Sequence, residues 1–325
     1  MEPEAHPEAV DAAGSSPLSR RRFIGGAVVA TAAAAGATWA WWAWSDDVRL
    51  RLENRVGGPS VGWPPEPLPT DRPPATRLAV AGDVGTGDER ELRTAAVMTA
   101  MAAERHFDAL LLLGDNVYPN GDPDRLGATV FEPFGPLLES GTELVAVLGN
   151  HDVRDGNGDP QAEALGMPGR WYSHRTGDVL VVALDSTLPD HPEQTAWLDR
   201  TLADGRDARW VVPILHHPPF SAGWNDSYLP VRREWVPLFV EHSVDLVLAG
   251  HDHDYQRMRP IDGVNYVVTG GAALTRRTDR ADFTAVAWST HHFTDIAIWD
   301  DRLLLRAVNQ SGDIFDEVTL APRTQ

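Results

Sequence analysis

Ala109-Leu110-Leu111-Leu112-Leu113, running into Gly114-Asp115-Asn116-Val117-Tyr118, is the stretch whose reading decides the fold. An apolar run bounded by Gly and Asp predicts a strand buried on both faces, the kind found in sheets covered by helices. The Gly-Asp-Asn turn then stands at the carboxyl end of that strand, where ligands bind in open α/β sheets. It sets Asp115 and Tyr118 three residues apart as hard oxygen ligands. Gly, Asp and Asn are also ordinary turn residues, so the pentapeptide alone does not separate a ligand site from a turn.

The same grammar recurs four times. Arg77 to Ala81 runs into Gly82-Asp83-Val84-Gly85, and Leu144 to Leu148 into Gly149-Asn150-His151-Asp152. Trp210 to Leu215 delivers His216-His217-Pro218, and Leu246 to Ala249 delivers Gly250-His251-Asp252-His253. Every run ends in a metal-binding residue type, and the strands are expected to present them on one rim of one sheet.

This ordered set resembles the purple acid phosphatases of the calcineurin-like metallophosphoesterase superfamily, in their small single-domain, tartrate-resistant acid phosphatase-like form. The resemblance covers Thr76 to the C-terminus. It implies a four-layer αββα sandwich of two mixed sheets flanked by helices, with a dinuclear metal site at the carboxyl ends of strands. Residue by residue, it makes Asp83, Asp115, Tyr118 and His253 ligands of an iron(III), with Asp115 bridging to a divalent ion completed by Asn150, His216 and His251. His151 is implied as a catalytic acid off the metals. Asp152 and Asp254 are candidates for orienting His151 and a ligand histidine, since outer partners fix the direction of such groups.

The chemistry of the residue types agrees with that division. A tyrosine hydroxyl has a pKa near 10, so its phenolate needs a strongly Lewis-acidic ion beside it. Neutral Asn and His suit iron(II), zinc or manganese, and the ligand types do not choose among these. The chain has no cysteine, which excludes thiolate zinc sites and iron-sulfur clusters. A phosphodiesterase of the same superfamily is the alternative. Those enzymes resemble Asp-x-His at the first motif, where this chain has Gly85. A further alternative is an envelope protein that binds metal and phosphate without turnover.

The implied reaction is hydrolysis of phosphomonoesters, small-molecule or protein, at two metal ions, with a protonated His151 assisting the leaving alkoxide. A net charge of −19 argues against a nucleic-acid surface, which needs a basic stripe. His217 reads either as a solvated loop histidine or as a contact to substrate phosphate. His174, His291 and His292 read as structural.

Ser19-Arg20-Arg21-Arg22-Phe23-Ile24 precedes an uncharged stretch from Gly25 to Trp44 and resembles a twin-arginine export signal. About 20 helical residues also span a bilayer core of about 30 Å, so a membrane anchor is the alternative reading of residues 25–44, but their many Ala and Gly residues make the stretch weakly hydrophobic, which favours the export signal. Trp39, Trp41, Trp42 and Trp44 resemble an interfacial belt, whereas the Ala-rich runs before them resemble cleavage sites. Either way the protein is expected to meet the twin-arginine machinery and to work outside the cytoplasm, secreted, on the cell-wall side, or anchored.

Three segments follow: residues 1–44 as signal or anchor, 45–75 as a Pro-rich linker or wrapping segment, and 76–325 as the catalytic domain. Asp88 to Glu91 resembles a capping box, and Leu92, Ala95, Ala96, Thr99 and Ala103 keep helical spacing after it. Residues 120–136 and 153–169 read as loops at the ligand rim. A helix is predicted over Pro192 to Leu202, stopped by Gly205. Trp171 to Leu184 is expected to open a second sheet, and the short alternating runs from Val264 to Leu320 suit antiparallel strands.

Overall fold

The structure, a computed structural model, describes Leu68 and residues 72–323. Its strands are β1 (Thr76–Ala81), β2 (Ala109–Leu112), β3 (Glu143–Ala146), β4 (Tyr172–Thr176), β5 (Val179–Ala183), β6 (Trp210–Leu215), β7 (Leu246–Ala249), β8 (Tyr255–Met258), β9 (Asn265–Thr269), β10 (Thr284–Trp288), β11 (His292–Ile298), β12 (Leu303–Asn309) and β13 (Ile314–Leu320). The helices are α1 (Glu89–Glu104), α2 (Gly135–Glu139), α3 (Gly158–Ala164), α4 (Pro192–Asp204), α5 (Leu229–Glu234) and α6 (Val236–Glu241), with shorter turns between.

One sheet runs β13-β12-β11-β1-β2-β3 and the other β10-β8-β9-β7-β6-β5-β4. In the first, β1, β2 and β3 are parallel and β11 pairs antiparallel with β1. In the second, β5, β6, β7 and β9 are parallel, with β4 and β8 antiparallel beside them. Both sheets are therefore mixed. The expectation of one rim on one sheet is corrected here: β1, β2 and β3 belong to one sheet, β6 and β7 to the other. A strand buried on both faces reads the same in either sheet, so its sequence carries no label of sheet membership. The C-terminal strands β11, β12 and β13 likewise extend the first sheet.

Alternation within the apolar runs explains the layers. Successive strand residues point to opposite faces. Leu78 and Val80 of β1 join Leu111, Val145, Val181, Val212 and Leu248 in a core between the sheets. Ala79 and Ala81 face the other way and pack with Ala95, Met98 and Met101 of α1. On the far side, Val182, Val211 and Val247 pack with Leu198, Leu202, Trp235 and Phe239 from α4 to α6. The result is helix, sheet, sheet, helix. Each fully buried Val or Leu stabilises this stack by about 1.5–3 kcal/mol relative to exposure.

The helix stripe predicted on α1 is rotated. Leu92 is 48% exposed, while Ala95, Met98 and Met101 are buried. Asp88 caps the helix by accepting from the N–H groups of Arg90 and Glu91, and Glu91 reaches back to the Gly87 N–H at 2.6 Å. That cap, with α1 facing the sheet, fixes which side is buried. The expected rim loops also contain α2, α3 and short helical turns, held by Leu126, Val130, Phe134, Leu137 and Ala162 in the core. Helices this short have too few turns to show a period. Predicted α4 runs Pro192–Asp204 with Gly205 as its cap.

Residues 1–44 and most of the Pro-rich linker lie outside the described residues. Among the described residues no helix is long and apolar enough to cross a membrane.

Candidate metal centre

Asp83, Asp115 and His251 follow β1, β2 and β7 and adopt φ of 59°, 52° and 70°. Non-glycine residues held in the left-handed region cost about 1–3 kcal/mol each and gather at functional sites. Here the strain falls on three expected ligands. The glycine before each ligand has a packing cause as well. A Cβ on Gly149 would stand 2.2 Å from Asp115 Oδ1, and one on Gly250 would stand 2.7 Å from Asp83 Oδ2. Each loop thus passes against the carboxylate of another.

The seven expected ligands converge as two triads with one carboxylate between them. Tyr118 Oη lies 3.1 Å from Asp83 Oδ1 and 3.2 Å from His253 Nε2, and His253 Nε2 lies 3.4 Å from Asp83 Oδ1. In the second triad, His216 Nε2 lies 3.1 Å from Asn150 Oδ1 and 3.2 Å from His251 Nδ1. Asp115 Oδ1 stands 3.5 Å from His216 Nε2, and Asp83, Asp115 and His216 each offer a ligand atom within 4.8 Å of the others. Atoms about 3.1–3.4 Å apart subtend about 95–110° at a point about 2.1 Å from each, a normal metal–nitrogen or metal–oxygen distance.

Hydrogen bonding shows that these contacts suit a cation. His216 Nδ1 lies 2.9 Å from the Leu113 carbonyl, which can only accept, so Nδ1 carries the proton and Nε2 presents a lone pair. That lone pair faces the acceptor oxygens of Asn150 and Asp115, an arrangement without a hydrogen between them. The electrostatics agree. Burial, then the Asp115 charge, raises the Asp83 carboxyl well above its usual range. Burial, then Asp115 and Asp83, raises the Tyr118 phenol well above 10. Burial also holds the His251 and His253 imidazoles well below the usual range, so the His253–Asp83 contact is no ion pair. Buried acids that resist ionising beside imidazoles that resist protonating fit a positive ion, which reverses both preferences.

His151 stands at the rim. Its Nδ1 lies 2.7 Å from the Pro119 carbonyl and therefore donates, while Nε2 lies 3.3 Å from the Arg154 guanidinium, which can only donate. The sequence reading has His151 protonated; this geometry makes it neutral, and burial lowers its pKa. A proton on Nε2 requires Arg154 to move aside.

Asp152 does not orient His151. Its Oδ2 accepts from the Gly149 N–H at 2.8 Å, the Asn116 N–H at 3.1 Å and Asn116 Nδ2 at 3.0 Å, and its Oδ1 accepts from the Val117 N–H at 3.1 Å. The side chain instead clamps two ligand loops together. Burial, then Asp115, pushes its carboxyl up to about 7. Asp254 accepts from Gln256 Nε2 at 3.0 and 3.1 Å, in place of the expected ligand histidine.

The other histidines separate cleanly. His174 pairs with Glu143 at 2.8 Å, and His292 sits in the core between Thr269 Oγ1 at 3.0 Å and the Thr290 carbonyl at 2.8 Å. His217 is buried and its ring lies 4.5 Å from that of His251. Residues with no local motif also reach the site. Arg276 donates its N–H to the His253 carbonyl at 2.7 Å, and its charge opposes the upward shifts of Asp83 and Tyr118. It arrives on the β9–β10 loop, and only the folded topology brings it here.

The profile of the calcineurin-like phosphoesterases matches residues 76–255, a span that holds all seven convergent residues. The chain belongs to this family. It is similar to an uncharacterised protein of Mycobacterium tuberculosis, 34% identical over 186 residues, which is 47% of this chain and 35% of that one. The chain thus spans about a third of that relative's length. It is 27% identical to the tartrate-resistant acid phosphatase type 5 of Oryctolagus cuniculus over 240 residues, 61% of this chain and 73% of the relative. The purple acid phosphatase of yellow lupin (Lupinus luteus) seeds superposes with a TM-score of 0.68 at 19% identity, covering 78% of this chain and 55% of that one. GAP50, described as the anchor in the inner membrane complex of Plasmodium, gives 0.69 at 15% identity over 77% of this chain and 90% of that one. At these identities the two structures show the fold alone. That fold is the four-layer sandwich of calcineurin-like phosphoesterases.

Proposed function

We propose that this chain is an acid phosphatase that hydrolyses phosphomonoesters at a dinuclear metal centre. The observation that carries the reading is the division of seven residues into two triads sharing Asp115. Asp83, Tyr118 and His253, with Asp115, would hold an iron(III), because three anionic oxygens suit a trivalent hard ion. Asn150, His216 and His251, again with Asp115, would hold a divalent iron, zinc or manganese. When bound, the two ions would supply Lewis acidity toward a phosphoryl group and lower the pKa of an attacking water.

The chain's own residues supply the rest. The hydrogen bond from Nδ1 to the Pro119 carbonyl leaves His151 Nε2 as the atom that can exchange a proton at the rim. Arg154, beside it, brings a guanidinium suited to an anionic substrate. Once Arg154 turns to that anion, Nε2 is free to take up a proton and pass it to a leaving alkoxide. The net charge of −19 makes local cations, not the overall field, the attraction for phosphate. The Ser19 to Trp44 stretch supports export through the twin-arginine machinery, with action on phosphorylated small molecules or proteins outside the cytoplasm.

The test is metal analysis of the exported protein together with a hydrolysis screen of monoesters against diesters, repeated on His151→Ala. Iron plus one divalent ion, preference for monoesters, and a loss of about 10²- to 10⁴-fold confined to poor leaving groups are expected. Faster diester cleavage would favour a phosphodiesterase. Metal uptake without turnover of either class would refute the enzyme.

A further inference from the structure

His216, His217 and His251 each offer a nitrogen within 4.8 Å of the others, so by ligand counting His217 would be a third imidazole on the second ion. The hydrogen bonding around Ser186 points elsewhere. Ser186 is fully buried, and its Oγ accepts from the His217 N–H at 2.9 Å and the His216 N–H at 3.2 Å. Those two bonds use both lone pairs of the hydroxyl. Its own hydrogen is then free to donate, and His217 Nδ1 stands 2.9 Å away. Nδ1 of His217 is therefore an acceptor, and the ring proton sits on Nε2.

The neighbouring residue is set the opposite way. His216 donates from Nδ1 to the Leu113 carbonyl at 2.9 Å, which leaves Nε2 bare and fit to ligate. Two consecutive histidines on one loop thus carry opposite tautomers, one a lone-pair ligand and one a neutral N–H donor. Packing holds the His217 ring in place. It stacks on Tyr228 with centroids 4.5 Å apart and a 30° angle, and it lies edge-on to His216 at 4.9 Å and 82°. The Ser186 loop is fixed in turn. The Asp185 N–H donates to Gln194 Oε1 at 2.8 Å, and the Asp185 carboxylate accepts from the Thr187 N–H at 2.9 Å and from Arg170 Nε at 2.8 Å.

We infer that His217 does not ligate the second ion but donates a hydrogen bond from Nε2 to a phosphoryl oxygen, and that Ser186 is the positioning residue that imposes this role. The inference rests on the reading of this site as a phosphoester centre. A neutral donor suits a tetrahedral oxyanion, and it leaves the second ion to Asn150, His216, His251 and the shared Asp115.

The experiment uses metal-loaded full-length protein, with two readouts: metal content after dialysis against graded chelator, and inorganic phosphate affinity by titration calorimetry. His217→Gln keeps a neutral N–H donor and is a poor ligand, whereas His217→Glu keeps a ligand and repels phosphate. Wild-type metal retention in both variants is expected, with phosphate binding kept in the Gln variant and weakened at least tenfold in the Glu variant. Ser186→Ala should weaken phosphate about ten- to a hundredfold with metal content unchanged, the scale of one hydrogen bond to a charged group. Thermal unfolding of each variant separates a misfolded protein from a lost contact, and the Gln variant carries the test if another variant fails to fold. Loss of the divalent ion in the Gln variant with retention in the Glu variant would overturn the inference, as would equal phosphate affinity in all variants. A wild type that holds both ions yet binds no phosphate would instead remove the phosphoester reading itself.

Discussion

Asp152→Ala should loosen the metal centre from behind without touching an ion. The carboxylate accepts from three buried backbone N–H groups, those of Asn116, Val117 and Gly149, and from the Asn116 amide, at 2.8 to 3.1 Å. Each buried donor left without an acceptor costs about 1–3 kcal/mol, so three backbone donors total roughly 3–9 kcal/mol. Two effects reduce that figure. Water enters the space left by the side chain, and the wild type already bears the cost of a carboxyl held at about 7 by burial and then Asp115. Holding the carboxyl at about 7 in place of its usual value of about 4 corresponds to about 4 kcal/mol at neutral pH. The expected net loss is about 2–4 kcal/mol. Because the contacts join the Asp115 and Asn150 loops, chelator should also strip the variant at lower concentration. Chemical unfolding of the loaded protein at pH 7, with the chelator titration beside it, measures both. A loss below about 0.5 kcal/mol, the level of an ordinary surface substitution, would refute the clamp. An unchanged stability with a displaced pH–rate profile would restore the role of orienting His151.

Three further outcomes are expected. Tyr118→Phe should abolish visible phenolate-to-iron(III) charge transfer while keeping some hydrolysis; a colourless wild type, or a coloured variant, would remove the assignment. Glu91 is pushed up to about 9 by burial, so its stability contribution is fully present below about 4.5 and is lost progressively as pH rises from there to about 9. Glu91→Gln should therefore gain on the wild type between pH 5 and pH 8, by up to about 4 kcal/mol at 1.36 kcal/mol per pH unit, and parallel stability curves would refute this. Replacing Arg20 and Arg21 with Lys should retain active enzyme in the cytoplasm, and unchanged export of the double variant would favour a plain anchor.

Strands were legible because burial on both faces leaves an unbroken apolar run, as in Leu110 to Leu113. The ligands were legible because each lies at or just after the end of such a run, four of them directly after a glycine that has no room for a Cβ, as Gly149 against Asp115 shows. Sheet membership was not legible, since Leu111 and Val212 share one core from opposite sheets and nothing in either run records which. The α1 face was misread because Leu92 is exposed and Met98 is buried, a choice made by packing against Ala79 and Ala81. Asp152 was misread for a different reason. Adjacency in sequence to His151 says nothing of where the carboxylate points, and here the backbone N–H groups of Asn116, Val117 and Gly149 determine it. Ser186 and Arg276 gave no signal, because each acts on groups more than 20 residues away along the chain.

Placing the centre on both sheets has an energetic consequence. Asp83, Asp115, Tyr118 and Asn150 come from the first sheet, His216, His251 and His253 from the second, and the shared core between Leu78 and Val181 fixes one sheet against the other. Three ligand residues already stand in the left-handed region, Asp83 and Tyr118 resist ionisation, and the His216 lone pair faces other acceptors. All of these are costs that the apolar core must offset on its own. A bound cation reverses the last two, so metal affinity and fold stability are one linked quantity, rising as RT ln(1 + [metal]/Kd). The clamp at Asp152 acts on the same balance, because it holds the Asp115 and Asn150 loops in place by hydrogen bonds that no ion supplies. Loss of the clamp should therefore be felt most in the metal-poor protein, where no coordination bonds remain to hold those loops together.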